Sequence, residues 1–237
     1  MLTRSATLDN MTQQELDDFI AAYHTKTILD LRTSLEGKAG SAVDQCFPNI
    51  NTLTKYERSS SQKLSPRQKI CVNFVGYNFK RYFVFAACTF MIKIKLILMI
   101  LFRQEQKAAY MISRSILDPL GLEILYQKFV TYCSTELRQA LMVFTEPTNY
   151  PIHVQCSIGK DRTGLVIFLV LSICGVPEDV IVQDYAKTQV GLRPVYKELL
   201  DDIQRAGLSE QFLDASPKVS GIINKYPFPF FFLKDFY

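Results

Sequence analysis

Leu16, Phe19, Ile20 and Tyr23 recur at helical intervals. The Thr12-Gln-Gln-Glu15 run just before them has the spacing of a capping box, so a first helix is predicted to run to about Tyr23. TILDL, Thr27 to Leu31, is rich in branched residues and reads as a strand leading into Arg32 and a polar loop. From Glu36 to Arg67 the periodicity fades among Ser, Asn, Gly and Lys, which predicts loop with room for one short element. Leu122, Leu125, Phe129 and Cys133 then share one helical face. Ser134 is placed to cap a further helix that turns Leu137, Leu141 and Phe144 inward, and Pro147 and Pro151 break it. Ile152 to Gln155 reads as a short strand, and Arg162 to Cys174 as an apolar helix stopped by Gly175 and Pro177. Pro177 opens another helix to about Thr188, and Pro194 a third, with Gly207 in a C-cap position. Strands alternating with helices predict an α/β layered fold with a largely parallel sheet, in a single domain over 1–237.

One stretch does not fit that alternation. Residues 82–102, YFVFAACTFMIKIKLILMILF, approach the length that crosses a bilayer. Lys93 and Lys95 near the middle each cost roughly 2.5 to 3.5 kcal/mol in a membrane, so a span is not expected. The segment reads as a buried or an interfacial helix, with contact to an anionic membrane surface as the alternative to a solvated basic face. Charge sharpens this. The chain carries net +4, yet 55–114 holds 12 Lys/Arg against 2 Asp/Glu, leaving 15 against 21 elsewhere. A basic segment is set into an acidic body. Its lysines alternate with aliphatics rather than stacking aromatics, so nucleic acid is not an expected partner. Six scattered cysteines and two histidines argue against a disulfide framework or a zinc site, and MLTRSATLDN lacks the apolar core of a signal peptide. A reducing, cytoplasmic setting with no metal or cofactor is the expectation.

The densest chemistry lies in HVQCSIGKDRTG, His153 to Gly164. A thiolate six positions before a guanidinium faces the same bound anion only if the chain between them curls into a cradle. In a loop leading from strand to helix, the amides of Ser157, Ile158, Gly159 and Lys160 through Arg162 can converge on phosphate, aided by the positive end of the following helix. Arg162 can grip two phosphate oxygens with its planar fork. Cys156 sits where dipole, amides and Arg162 favour the nucleophilic thiolate. This predicts in-line attack on phosphorus, a phosphocysteine intermediate and its hydrolysis. Thr163 could donate a hydrogen bond to the sulfur. Asp161, Asp118 and Glu146 are candidates to protonate the leaving oxygen, with Asp161 preferred because it already lies beside the phosphate.

CSIGKDRTG, together with RSATLD at Arg4 to Asp9, DLR at Asp30 to Arg32, LDPLGL at Leu117 to Leu122, NYP at Asn149 to Pro151 and GVPEDVIVQDY at Gly175 to Tyr185, resembles the fungal and bacterial tyrosine phosphatases with a GKDRTG loop. The resemblance covers most of the chain. It implies the cysteine-phosphatase fold, with the cradle at the carboxyl end of a central strand. It carries the nucleophile onto Cys156, the phosphate grip onto Arg162 and a loop acid onto Asp161, and it implies action on phosphotyrosine, in some members on phosphoserine or phosphoinositides.

Three features depart from the pattern. Gln155 stands where the family usually has His before the nucleophile, which predicts a slower enzyme with a less acidic Cys156. His153 cannot replace it, since two residues along a strand put it about 6.6 Å away on the face opposite Cys156. The chain begins almost at RSATLD, where related chains have a preceding strand and turn. KYPFPFFFLKDFY, at 225–237, replaces expected helix with an aromatic tail, read as a binding patch or, preferably, as a misplaced gene boundary that would impair folding. The expected substrates are a phosphotyrosine protein or, given Lys160 and the basic segment, a phosphoinositide. A catalytically weak phosphate-binding module is the competitor.

Overall fold

A computed structural model describes residues 1–33, 36–37, 40–51 and 67–214. The aromatic tail and the first part of the basic segment, 55–66, lie outside the described residues. The strands are β1 (Leu2–Ser5), β2 (Thr27–Asp30), β3 (Asn49–Asn51), β4 (Gln68–Cys71) and β5 (Ile152–Gln155). The α-helices are α1 (Gln13–Tyr23), α2 (Ala42–Cys46), α3 (Phe90–Leu101), α4 (Glu105–Ile112), α5 (Asp118–Tyr132), α6 (Ser134–Phe144), α7 (Asp161–Ile173), α8 (Glu178–Leu192) and α9 (Tyr196–Arg205). The described residues form two compact units, one within Met1–Gly76 and Ser134–Val170, the other within Tyr77–Cys133 and 171–214.

The first unit holds a five-stranded parallel sheet in the order β1-β5-β2-β4-β3. β2 and β5 are buried at every position, as interior strands of a parallel sheet should be. The register aligns their ends: Ser5 and Asp30 both pair with Gln155, and Cys71 pairs with Asp30. The carboxyl ends of four strands therefore lie level, and the loop after β5 emerges from that row. In open parallel sheets this is where ligands bind.

Local chemistry fixes the elements around the sheet. Thr12 Oγ1 accepts from Glu15 N, and the Glu15 carboxylate accepts from Thr12 N at 2.8 Å, so the predicted capping box starts α1. Leu16 and Ile20 of α1 join Leu8, Ile28, Val43 and Phe47 in one apolar core. Each such side chain stabilises by about 1.5 to 3 kcal/mol when fully buried. Where one short element was expected after Glu36, the described residues form two, α2 and β3: Ser41 Oγ accepts from Asp44 N to cap the helix. In α6 the inward face is Leu137, Ala140, Leu141 and Val143, while Phe144 is only half-buried.

In the second unit, Leu122, Leu125, Phe129 and Cys133 are buried together as their spacing predicts, although α5 breaks at Gly121, whose φ of 75° suits only glycine. Gly175 and Gly207 close α7 and α9 regions with φ of 74° and 86°. Helix α8 runs four residues beyond the expected Thr188, to Leu192. The 82–102 segment is not the buried helix that its hydropathy allowed. It is a π-helical stretch, Phe79–Phe85, followed by α3, of which only Leu96 is buried. Apolar residues on every side of α3 cannot all find neighbours, so the helix packs through one narrow stripe. Among the described residues no helix is long and apolar enough to cross a membrane.

Candidate active site

Cys156 follows β5 directly and is 1% exposed, at the base of the loop. The chain turns through Ser157, Ile158, Gly159 and Lys160, and Gly164 N donates to Lys160 O at 2.8 Å to open α7. The turn depends on Gly159. Its φ is 69°, and a Cβ there would stand 2.4 Å from the backbone C and O of Ser5. Thr7 N donates to Ser157 O at 3.2 Å, so the segment after β1 braces the loop from the side.

Arg162, at the start of α7, is held by a residue from the loop after β2. Its Nη1 donates to Glu36 Oε2 at 2.8 Å and its Nη2 to Glu36 Oε1 at 2.6 Å. Nη2 also donates to Ser157 Oγ at 3.1 Å, and Nη1 to Leu31 O at 3.3 Å. Ser157 Oγ in turn donates to Glu36 Oε1 at 2.6 Å. Thr33 anchors the carboxylate through its N at 2.8 Å and its Oγ1 at 2.9 Å. Burial raises the Glu36 pKa, but the hydrogen bonds and charge of Arg162, with Ser157 and Thr33, outweigh it and hold the carboxyl at about 2. Glu36 thus engages both Nη atoms, with Ser157 and Leu31 sharing them, so of the fork expected to grip two phosphate oxygens only the Nε–H is left for an anion.

Lys160 does not stand solvated at the rim of the loop. It is 0% exposed, with Nζ 2.7 Å from Asp161 Oδ1, because an ammonium that enters the interior needs a carboxylate beside it. Beneath the loop lies a second buried charge network. Arg32 Nη1 donates to Asp9 Oδ2 at 2.7 Å and Nη2 to Asp30 Oδ2 at 2.6 Å. Gln155, fully buried, donates from Nε2 to Asp30 Oδ2 at 3.0 Å and accepts from Leu8 N at 3.2 Å through Oε1. His153 lies apart from this. Its ring nitrogens meet Thr3 Oγ1 at 2.9 Å and Ser5 Oγ at 3.0 Å, Phe19 packs edge-on against it, and burial pushes its pKa down to about 4.

A thiol and an arginine on one loop at the carboxyl end of a buried strand suit a phosphate ester. The tyrosine phosphatase family matches residues 1–224 of the sequence. The chain belongs to that family. Over 80 residues it is 31% identical to the triple specificity protein phosphatase PtpB of Mycobacterium tuberculosis (strain ATCC 25618 / H37Rv), a match that takes in 34% of this chain. The aligned part spans 29% of that relative's length.

Within this tyrosine phosphatase family member the other expected residues fare unequally. Thr163 is fully buried, but its Oγ1 has no hydrogen-bond partner, so the bond to sulfur is not formed here. Asp118 is in the second unit, where it accepts from Ser209 N at 2.7 Å and from Arg114 Nη1 at 3.1 Å; the Ser209 bond leads in lowering its pKa. Glu146 accepts from Thr148 N at 3.1 Å and caps a short 3-10 turn. Both carboxylates have local structural duties. In the sequence Glu36 is marked only by Thr33-x-x-Glu36, which repeats the capping-box spacing of Thr12-x-x-Glu15. No sequence pattern marks the bonds of Gln155 to Asp30 of the DLR run and to the Leu8 amide beside Asp9.

Proposed function

We propose that the protein is a protein tyrosine phosphatase, with dual specificity within its range, that works through a phosphocysteine intermediate on Cys156. The observation that carries the reading is Arg162, held by Glu36 and Ser157 at the mouth of a loop whose base is Cys156. In the first step the Cys156 thiolate attacks phosphorus, the bond to the substrate oxygen breaks, and that oxygen takes a proton from Asp161. Asp161 is then a carboxylate, balanced by the Lys160 ammonium at 2.7 Å, and it regains its proton from the water that attacks in the second step. In the second step water attacks phosphorus, the S–P bond breaks, and thiolate and inorganic phosphate are released. The loop amides from Ser157 to Arg162 and the Nε–H edge of Arg162 stabilise the equatorial oxygens in both steps. Glu36 is a positioning residue for Arg162. The two units are taken as one phosphatase domain, supported by a family match that runs through both. A cytoplasmic setting belongs to the same proposal, since a working thiolate needs a reducing compartment.

A phosphoinositide substrate is the second reading and rests on the basic segment. Lys160 lends it less than its sequence position promised, because Asp161 already balances that charge inside the loop. The test is hydrolysis of an aryl phosphate and of a soluble phosphoinositide across pH 5 to 8, beside Cys156→Ser. Turnover of the aryl ester that disappears with Cys156→Ser is the expected result. A folded protein with no turnover of either ester would sink the proposal in favour of a phosphate-binding module.

A further inference from the structure

Helix α3 is apolar yet outward-facing. Phe90, Met91, Ile94, Ile97, Leu98 and Leu101 are 76%, 63%, 39%, 56%, 47% and 71% exposed. At 100° per residue these six fall within one arc of about 120°, from Ile97 round to Met91. Leu96, the buried residue, is on the opposite side of the helix. Lys95 stands about 40° beyond one edge of the arc and Lys93 about 40° beyond the other. Lys93 Nζ also lies 5.2 Å from the ring centroid of Phe85, which is itself 42% exposed.

We propose that α3 is an in-plane membrane-contact helix that seats its apolar arc in the surface of an anionic bilayer, with Lys93 and Lys95 reaching back to the lipid headgroups. Several observations converge on that occupant. A helix of 12 residues is about 18 Å long, too short to cross, but suited to lie along the surface. Lysines at both margins of an apolar face bury their stems while keeping their charge at headgroup level. No acidic residue occurs between Lys80 and Gln104, whereas Lys80, Arg81, Lys93, Lys95 and Arg103 do. A protein partner would need acidic margins to match these lysines, which an anionic membrane supplies everywhere. The inference does not depend on the proposed chemistry, because it is read by binding rather than turnover.

The experiment is co-flotation of the full-length protein with phosphatidylcholine vesicles with and without phosphatidylserine, in low and high salt. Binding is expected only with phosphatidylserine and should weaken as salt rises. Lys93→Gln with Lys95→Gln should weaken it about 30-fold. Leu98→Ser with Leu101→Ser should abolish it, and both variants should keep the circular dichroism and aryl phosphate turnover of the parent protein. Equal binding to neutral vesicles, or no binding to either, overturns the proposal. So does a concentration-dependent dimer in sedimentation that is lost with Leu98→Ser, because the arc would then be covered by a second copy.

Discussion

Replacing Glu36 with Gln preserves size and one acceptor but removes the charge that holds Arg162. Lowering a carboxyl from 4.5 to about 2 corresponds to roughly 3 kcal/mol, and with the Glu36 side chain 31% exposed, solvent screening reduces this to about 1 to 2 kcal/mol. Because the folded value is depressed, this stability is fully present above pH 4.5 and is lost as pH falls toward 2. Urea denaturation at pH 7 should therefore find Glu36→Gln less stable by that amount, with the gap narrowing below pH 4.5. Activity should suffer more. A guanidinium freed from its 2.6 and 2.8 Å bonds swings out of line with the equatorial oxygens, and misplacement on the order of 1 Å costs about 100-fold. Steady-state hydrolysis of an aryl phosphate should show the loss chiefly in kcat, because the grip is tightest in the transition state. Inhibition by inorganic phosphate should weaken as well. If kcat/KM is unchanged or rises while phosphate binds more tightly, the positioning role is refuted: Glu36 would be competing with phosphate for Arg162.

Gly159→Ala should cost at least about 1 to 3 kcal/mol in a chemical melt, from its φ of 69° and the 2.4 Å approach to Ser5, and should depress turnover with it; an unchanged midpoint would contradict the turn geometry. Thr163→Val removes a buried hydroxyl without a partner, so thermal stability should hold or rise. If that hydroxyl serves the sulfur during turnover, rapid-quench kinetics will show the phosphocysteine accumulating in the variant, whereas unaltered kinetics would remove Thr163 from the mechanism. Burial keeps His153 neutral down to about pH 4 while the unfolded chain protonates near 6.5, so stability should fall by about 2 kcal/mol between pH 7 and pH 5. Urea midpoints at the two pH values check this, and a His153→Gln variant should lose the effect.

The parts of the fold that were legible in the sequence are those whose causes are local. The box at Thr12 and Glu15, the apolar spacing of Leu122, Leu125 and Phe129, the closure at Gly175 and Gly207, and the strand-loop-helix unit around Cys156 each depend on residues a few positions apart. What was not legible crosses long sequence distances. Glu36 meets Arg162 across 126 positions and Gln155 meets Asp30 across 125, and no periodicity announces either pair. The burial of Lys160 is hidden from the sequence for a related reason. A lysine in a Gly-Lys-Asp run is ordinarily solvated, and only the neighbouring carboxylate, turned inward at the start of α7, makes its full burial tolerable.

The departure at Gln155 takes on a different meaning once its partners are known. A side chain before the nucleophile can act on the thiolate by its charge or on the loop by its hydrogen bonds, and glutamine can do only the second. Here it does so on two sides, with Nε2 on Asp30 and Oε1 on the Leu8 amide. Asp30 is already shared with Arg32, and Arg32 with Asp9, so Gln155 links the end of β5 to both of the segments that brace the loop. The bond from Thr7 N to Ser157 O and the contact of Gly159 with Ser5 complete that frame. A buried amide with both ends bonded specifies position at little electrostatic cost, whereas a protonated imidazole there would have to be paired against Asp30. In the proposed mechanism Cys156 then draws its activation from the loop amides, the start of α7 and Arg162. Those are the groups that Glu36, Ser157 and Gly159 hold in place, which is why a loss of about 100-fold is expected from Glu36→Gln, although it touches neither the proposed nucleophile nor the proposed acid.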